Sequence, residues 1–472
     1  MKRILSVLFA LPLLAVSAVP VVSDCVMTQS KATREVTITY RLSATPAVVT
    51  IDIETNVTDD VWVSIGGSIV GASLTGDVFK RITEPKDVYA VGWKPVETWP
   101  NIKIKDKGIR AVVKAYAVDD TPDYMVVDLA AESAARVRYY PSVDFLPGGL
   151  FGDNAYRETK MVMRKVTAKD IPWTMGSTWE YANQTTTLPA NKYAHEVTLT
   201  NNYYLGVFEV THKQWLTILG SLPAVVDGCR FDTNSDRRPV EQATPSKVRG
   251  AHNWPTPPTA DSLLGQMRTR TICDEFPFGV DFDLPSEAEW EFACRSDSVD
   301  GEWNTRTRFT SSSLWAYFDK GTSTAQKCYA ADAPGRYAMN GGYVYDAAAN
   351  RYAGPNPVAE CGLENGTAEV GSVFSPNSWG FYDMHGNVSE MCLDYYTTDI
   401  TGLNGRVQND SSRASLDNNK LCCVCRGGSY NSLNASEMLS STRRTQVCTG
   451  SYNTEKYVYG NGLRVACRAG LK

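Results

Sequence analysis

Six short blocks in the second half of this chain constrain its fold more than any other feature. They read GVFEVTHKQW (206–215), RPVEQATPSKVRG (238–250), FDLPSEAEWEFACR (282–295), NSWGFYDMHGNVSEM (377–391), RGGSY (426–430) and NGLRVACR (461–468). Each has a local structural meaning. Thr211 caps an apolar-striped run to Leu219. Ser286 with Glu289 three residues on has capping-box spacing, so a helix is expected over 286–294. In that helix Trp290 and Ala293 are expected to face inward, with Glu287 and Glu291 in water. Gly427-Gly428 reads as a tight turn. Between the blocks, residues 296–376 are rich in Gly, Ala, Asn and Tyr with little periodicity, an unusually long irregular stretch for a globular domain.

In this order and spacing the blocks resemble the formylglycine-generating enzyme family, also called sulfatase-modifying factor domains. The resemblance implies an α+β fold related to C-type lectins with much of the chain in loops. It also implies a chemistry that this sequence departs from. The family's oxidases bind Cu(I) through two cysteines in the pattern Gly-Gly-Ser-x-x-Cys-x-x-x-x-Cys, and oxidise a cysteine in a Cys-x-Pro-x-Arg segment of a protein substrate. The turn is kept here as Gly427, Gly428 and Ser429, but the thiolate positions are Ser432 and Glu437. A hydroxyl and a carboxylate are hard ligands and do not replace a dithiolate for a soft cation, which argues against copper. The two tryptophans of the family's Asn-x-Trp-Glu-Trp block fall on Ser389 and Met391. A dithiol relocated to Cys422, Cys423, Cys425 or Cys448 is the less favoured alternative. A calcium site is a further implication of the resemblance, at Asp383, Gly386, Val388 and Glu390, where carboxylates and carbonyls suit a hard cation.

A second enzyme class of the superfamily uses a three-histidine iron site. The four histidines here, His195, His212, His252 and His385, lack that spacing. His385 is expected to pack in its loop. Cys422-Cys423-Val424-Cys425 suggests zinc as an alternative, but no second Cys/His cluster completes a tetrahedral set nearby.

Upstream, residues 24–145 read as an all-β immunoglobulin-like sandwich. EVTITYRL (35–42), AVVTIDIET (47–55), DVWVSIGG (60–67), KDVYAVGWK (86–94), AVVKAYAV (111–118) and YMVVDLA (124–130) alternate or run in β-branched and aromatic residues between turn-forming clusters. Trp62, Trp93 and Trp99 are expected in sandwich packing in preference to a carbohydrate face. Residues 146–158, within the Pro-, Gly- and aromatic-rich stretch 139–156, read as a packed linker, and the second domain as 159–472. Residues 1–23 read as a signal peptide: Lys2 and Arg3, an apolar run to Ala18, a cleavage site at Val16-Ser17-Ala18 and another after Ser23. The run is too short to span a bilayer. Asp24 disfavours lipid attachment at Cys25.

The net charge is −5, and loss of Lys2 and Arg3 takes it to −7, which argues against a nucleic-acid partner. All twelve cysteines follow the leader, and this even count in an exported chain suggests disulfides. The expected location is secreted, periplasmic or cell-surface. The C-terminal loops, rich in Asn, Ser and Tyr, offer adaptable contacts for a protein or glycan ligand at Tyr430, Asn431, Asn434 and Tyr452. The leading functional expectation is a binding or scaffold role. The alternative is a formylglycine-generating or related oxidative enzyme acting at a rebuilt site.

Overall fold

The computed structural model describes residues 19–58, 60–101, 108–131, 136–176, 194–223, 236–250, 255–295, 335–336, 343–346, 351–355, 366–372, 375–397, 422–432, 437–447 and 460–468. The N-terminal region is β-rich, and all six expected strands form. Val36–Leu42 pairs antiparallel with Tyr89–Trp93 and with Val22–Gln29, while Ala47–Thr58 pairs with Ile109–Tyr116, Val61–Ser64 and Lys80–Ile82. Alternation does the folding. Ile38, Tyr40, Val91 and Trp93 from one sheet share a core with Val49, Ile51 and Ile53 from the other. Trp93 is buried and stacks on Trp99, as expected of packing residues, while half-buried Trp62 lies under the Arg110 guanidinium. The strand at Val22–Gln29 has no counterpart in the sequence reading, which ended the leader inside it.

The last expected strand does not stay with the others. Tyr124–Asp128 pairs with Val137–Tyr140 on one side and Lys160–Val166 on the other. Tyr203–Gly206, Ala466–Arg468 and Phe282–Asp283 complete a six-stranded antiparallel sheet. The sheet therefore runs across the stretch expected to be a boundary. Its two faces explain why. Met125, Val127, Tyr139, Met161, Met163 and Tyr204 point into the core of the second half. Tyr124, Val126, Tyr140 and Val162 point the other way, into the core of the N-terminal β-rich region. One pleated sheet with period-2 side chains serves both cores. Within residues 146–158, Leu146 and Tyr156 are buried in the core of the N-terminal β-rich region.

Both expected helices form. His212–Leu219 is capped by Thr211 and ends at Gly220 in the left-handed conformation. Gln214 closes a capping box there that the sequence reading did not notice. Glu287–Cys294 has its Ser286–Glu289 capping box. Only fragments of 296–376 lie within the described residues, among them a hairpin of Tyr343–Asp346 with Arg351–Pro355.

One expectation is overturned. Glu287 and Glu291 are not in water; both are buried. The helix is enclosed on every side, so its acidic face meets arginines. Arg443 Nη2 donates to Glu287 Oε2 at 2.8 Å, and Arg426 bonds the other carboxylate oxygen. Arg426 also reaches Glu291 at 2.9 Å, and Arg295 pairs with the same carboxylate. Beyond the helix cap, Glu289 holds Arg468 at 2.7 Å. Burial alone pushes the Glu287 carboxyl up, but the two guanidiniums outweigh it and hold it below the ordinary carboxylate range. That depression fixes the sign of the pH dependence. The stabilisation from Glu287 is complete above its unfolded value, about 4.3, and is lost as pH falls through the lower folded value. Glu287→Gln leaves two buried guanidiniums short of a counter-charge and is expected to cost about 3–5 kcal/mol at neutral pH. Chemical denaturation at pH 7 and pH 3 checks it: the gap between wild type and variant should shrink in acid.

Candidate functional site

The Gly427–Gly428 turn sits where the helix, the 377–391 loop and the C-terminal strands meet. Both glycines have positive φ, +87° and +70°. A Cβ at Gly427 would lie 3.0 Å from the Met384 carbonyl oxygen and 3.2 Å from the Trp290 ring. One at Gly428 would lie 2.8 Å from the Met438 side chain. The turn is thus wedged between the helix and residues 437–438. It is tied to the neighbouring loop by Gly386 N–H donating to Gly427 O (2.7 Å) and Tyr430 N–H donating to Asn387 O (2.8 Å).

The two positions of the family's copper thiolates lie close together. Ser432 is fully buried, and its Oγ accepts from the Ser429 N–H at 3.0 Å. Arg444 then bridges the pair, with Nη1 on Ser432 Oγ at 3.3 Å and Nη2 on Glu437 Oε2 at 3.3 Å. A guanidinium between two hard oxygen donors opposes a soft cation by charge and by donor type. These residues do not fit copper. Arg444 was not singled out by the sequence reading; only the resemblance to a two-ligand site could have directed attention to what fills the gap between Ser432 and Glu437.

Of the four positions expected for calcium, Asp383, Gly386 and Val388 lie in a loop shaped by positive φ at Asp383, Gly386 and Asn387, and Glu390 lies in the strand Ser389–Tyr395 that follows it. Beneath it lies a buried charge cluster. Arg464 pairs with Glu390 through Nε and Nη2, the latter at 2.7 Å, and donates through Nη1 to the carbonyls of Gly206 and Val207. Trp290 Nε1 donates to Glu390 Oε2 at 2.7 Å. Glu209 accepts from the Val388 N–H (3.0 Å) and Asn387 Nδ2 (2.7 Å), and Asp383 accepts from the Gly371 N–H (2.6 Å). Three buried carboxylates thus face one guanidinium. Burial, then the charges of Asp383 and Glu390, push Glu209 well up, and burial pushes Asp383 up to about 6. Among the described residues no group of three or more Asp, Glu, His or Cys side chains is arranged to hold a metal ion; what favours a divalent cation here is the excess of carboxylate in a dry site. Glu209 and Arg464 stand in quoted blocks, but their role needs three segments brought together in space.

Among the ligand-contact candidates, Tyr430 does not present its ring to solvent. It is 1% exposed and packs beside Gly460. Residues 422–430 are buried without a break, and the tyrosine with them. Asn431 is half-buried and accepts from Ser429 Oγ. Asn434 and Tyr452 lie outside the described residues. His385 packs in its loop as expected, Nδ1 bonded to the Met438 carbonyl at 2.8 Å. Cys25, Cys273, Cys294, Cys392 and Cys467 carry free thiols, so the expected disulfides do not involve them. Cys422, Cys423 and Cys425 are buried on the strand that leads into the turn. Cys229, Cys328, Cys361 and Cys448 lie outside the described residues.

Comparison with known proteins agrees with the motifs. No curated protein matches. Several chains of solved structures are similar, two of them as follows. Treponema denticola variable protein 1 is 20% identical, covering 66% of this chain and 96% of its own, with a TM-score of 0.37. PvdO from Pseudomonas aeruginosa is 19% identical, covering 65% and 94%, with a TM-score of 0.39. Residues 157–468 match the sulfatase-modifying factor enzyme 1-like domain, about two-thirds of the chain. The chain belongs to that family.

Proposed function

We propose that this protein is a non-oxidase member of its family, exported to a secreted, periplasmic or cell-surface location, that uses the retained fold to present a protein- or glycan-binding surface on its C-terminal loops. The observation that carries this reading is Arg444 lying between Ser432 and Glu437. The oxidase needs two thiolates and room for a soft cation between them. Here the donors are hard and the room holds a fixed positive charge. The N-terminal immunoglobulin-like module serves in this reading as a platform. No helix among the described residues is long and apolar enough to cross a membrane.

The purified protein is expected to leave a Cys-x-Pro-x-Arg peptide unchanged under oxygen with Cu(I) supplied, measured by mass spectrometry for the aldehyde product. Replacing both Ser432 and Glu437 by Cys is expected to fail as well while Arg444 remains. Oxygen-dependent turnover by the wild type overturns the reading. On the binding side, Asn431→Ala and Asn434→Ala should reduce capture on glycan and protein arrays while changing stability by no more than about 0.5 kcal/mol. Parallel loss of capture and stability would make these residues part of the fold instead.

Calcium belongs to the same reading as a structural ion held by Asp383, Gly386, Val388 and Glu390. Its support is the excess of buried carboxylate around Arg464. An ion bound only by the native state raises the melting temperature by linkage. Calcium should therefore raise it relative to chelator, and Asp383→Ala should remove the difference. Superimposable melting curves with calcium and with chelator would leave proton uptake by Glu209 and Asp383 as the balance of charge.

A further inference from the structure

Phe151 belongs to the linker, outside the matched residues 157–468, and is 42% exposed. The side chain is only partly covered, yet its contacts are specific, to the core ring of Phe208 and to Tyr382 packed against that core. Its ring meets Tyr382 edge-on at 5.3 Å and Phe208 edge-on at 5.8 Å, and those two rings lie 5.2 Å apart. The Arg157 guanidinium lies over the Phe151 ring at 5.2 Å.

Two backbone segments of the buried charge cluster rest on these three rings. The first is Gly371, at φ +68°, where a Cβ would come within 2.5 Å of the Phe208 ring and 3.1 Å of the Phe151 ring. Its N–H is the donor to Asp383 Oδ2. The second is Tyr382 itself. Its N–H donates to the Val207 carbonyl at 3.1 Å, and its carbonyl accepts from Arg464 Nη2 at 2.7 Å. The rings therefore fix one donor to Asp383 and one acceptor for Arg464, from the solvent side.

We propose that Phe151 is a latch: a linker residue that holds the Gly371 and Tyr382 backbones against the Asp383–Glu390–Arg464 cluster, so that the N-terminal side of the chain sets the order of the family domain's 377–391 loop. Phe151 is a positioning residue that acts through Tyr382 and Gly371. The distinguishing mark of a latch is local release. Removing a half-exposed ring should free the two backbone segments it clamps and leave the sandwich core as it was.

Native-state hydrogen exchange on the full chain tests this. In Phe151→Ala the Gly371 and Tyr382 amides are expected to exchange about tenfold faster, the scale of losing two edge-to-face ring contacts. The Ile38 and Val91 amides, in the N-terminal sheet, should keep their wild-type protection, and Phe151→Tyr should restore the slow exchange. Phe151→Leu, which keeps apolar volume without the ring edge, provides the same comparison should the alanine variant fail to fold. Unchanged exchange at Gly371 and Tyr382 would overturn the proposal. So would equal acceleration at Ile38 and Val91, which would make Phe151 an ordinary packing residue, or failure of the tyrosine variant to restore protection.

Discussion

The second half of this protein depends on arginine meeting carboxylate inside the fold. Arg426 and Arg443 close on Glu287, Arg464 on Glu390, Arg468 on Glu289, and Arg249 on Asp283 at 2.8 Å with both side chains fully enclosed. Replacing such pairs by apolar residues is often neutral or stabilising, so their number is no measure of stability. Their geometry is what the fold uses. A planar guanidinium has five donors in a fixed fork and serves carboxylates and carbonyls at once. Arg464 touches Glu390, Gly206, Val207 and Tyr382, four points from three segments. Where helices and strands are short, these forks take over the work that a long hydrogen-bonded ladder does elsewhere. A wrong chain path would leave a buried charge unmatched.

The same need for specification explains why the N-terminal half is not a loose attachment. The sheet strand Tyr124–Asp128 is flanked by neighbours on both sides and buried on both faces. Met125 and Val127 pack into one core while Tyr124 and Val126 pack into the other. Exposing either face would uncover large apolar side chains at about 25 cal/mol for each Å². The two halves therefore share a layer, and the linker that follows is pressed into it by Leu146 and Tyr156.

How much of this the sequence disclosed depended on the range of the signal. Period-2 alternation located the first module's strands because it is local. Capping chemistry located the helix after Ser286 for the same reason. The burial of Glu287 and Glu291 was not legible, because an acidic helix face reads as solvated unless the arginines opposite it are known. Those arginines, Arg426 and Arg443, are more than 130 residues away. The strand at 124–128 was recognised but placed with the wrong companions, since alternation gives faces and not neighbours. Tyr430 was assigned to a ligand face from composition, and composition does not say which way a ring turns after a glycine pair.

Arg444 shows how hard donors are accommodated beside the retained glycine turn. Retaining Gly427 and Gly428 keeps the turn wedged against Trp290 and Met438, so position 432 stays fully buried. A buried hydroxyl there needs hydrogen-bonding partners, and it finds the Ser429 N–H and the Arg444 guanidinium. The same guanidinium needs a counter-charge, and Glu437 supplies it. Ser432, Glu437 and Arg444 thus satisfy one another, each making the others tolerable in a half-buried site. A single substitution to cysteine at either position removes one link and leaves the guanidinium less well matched.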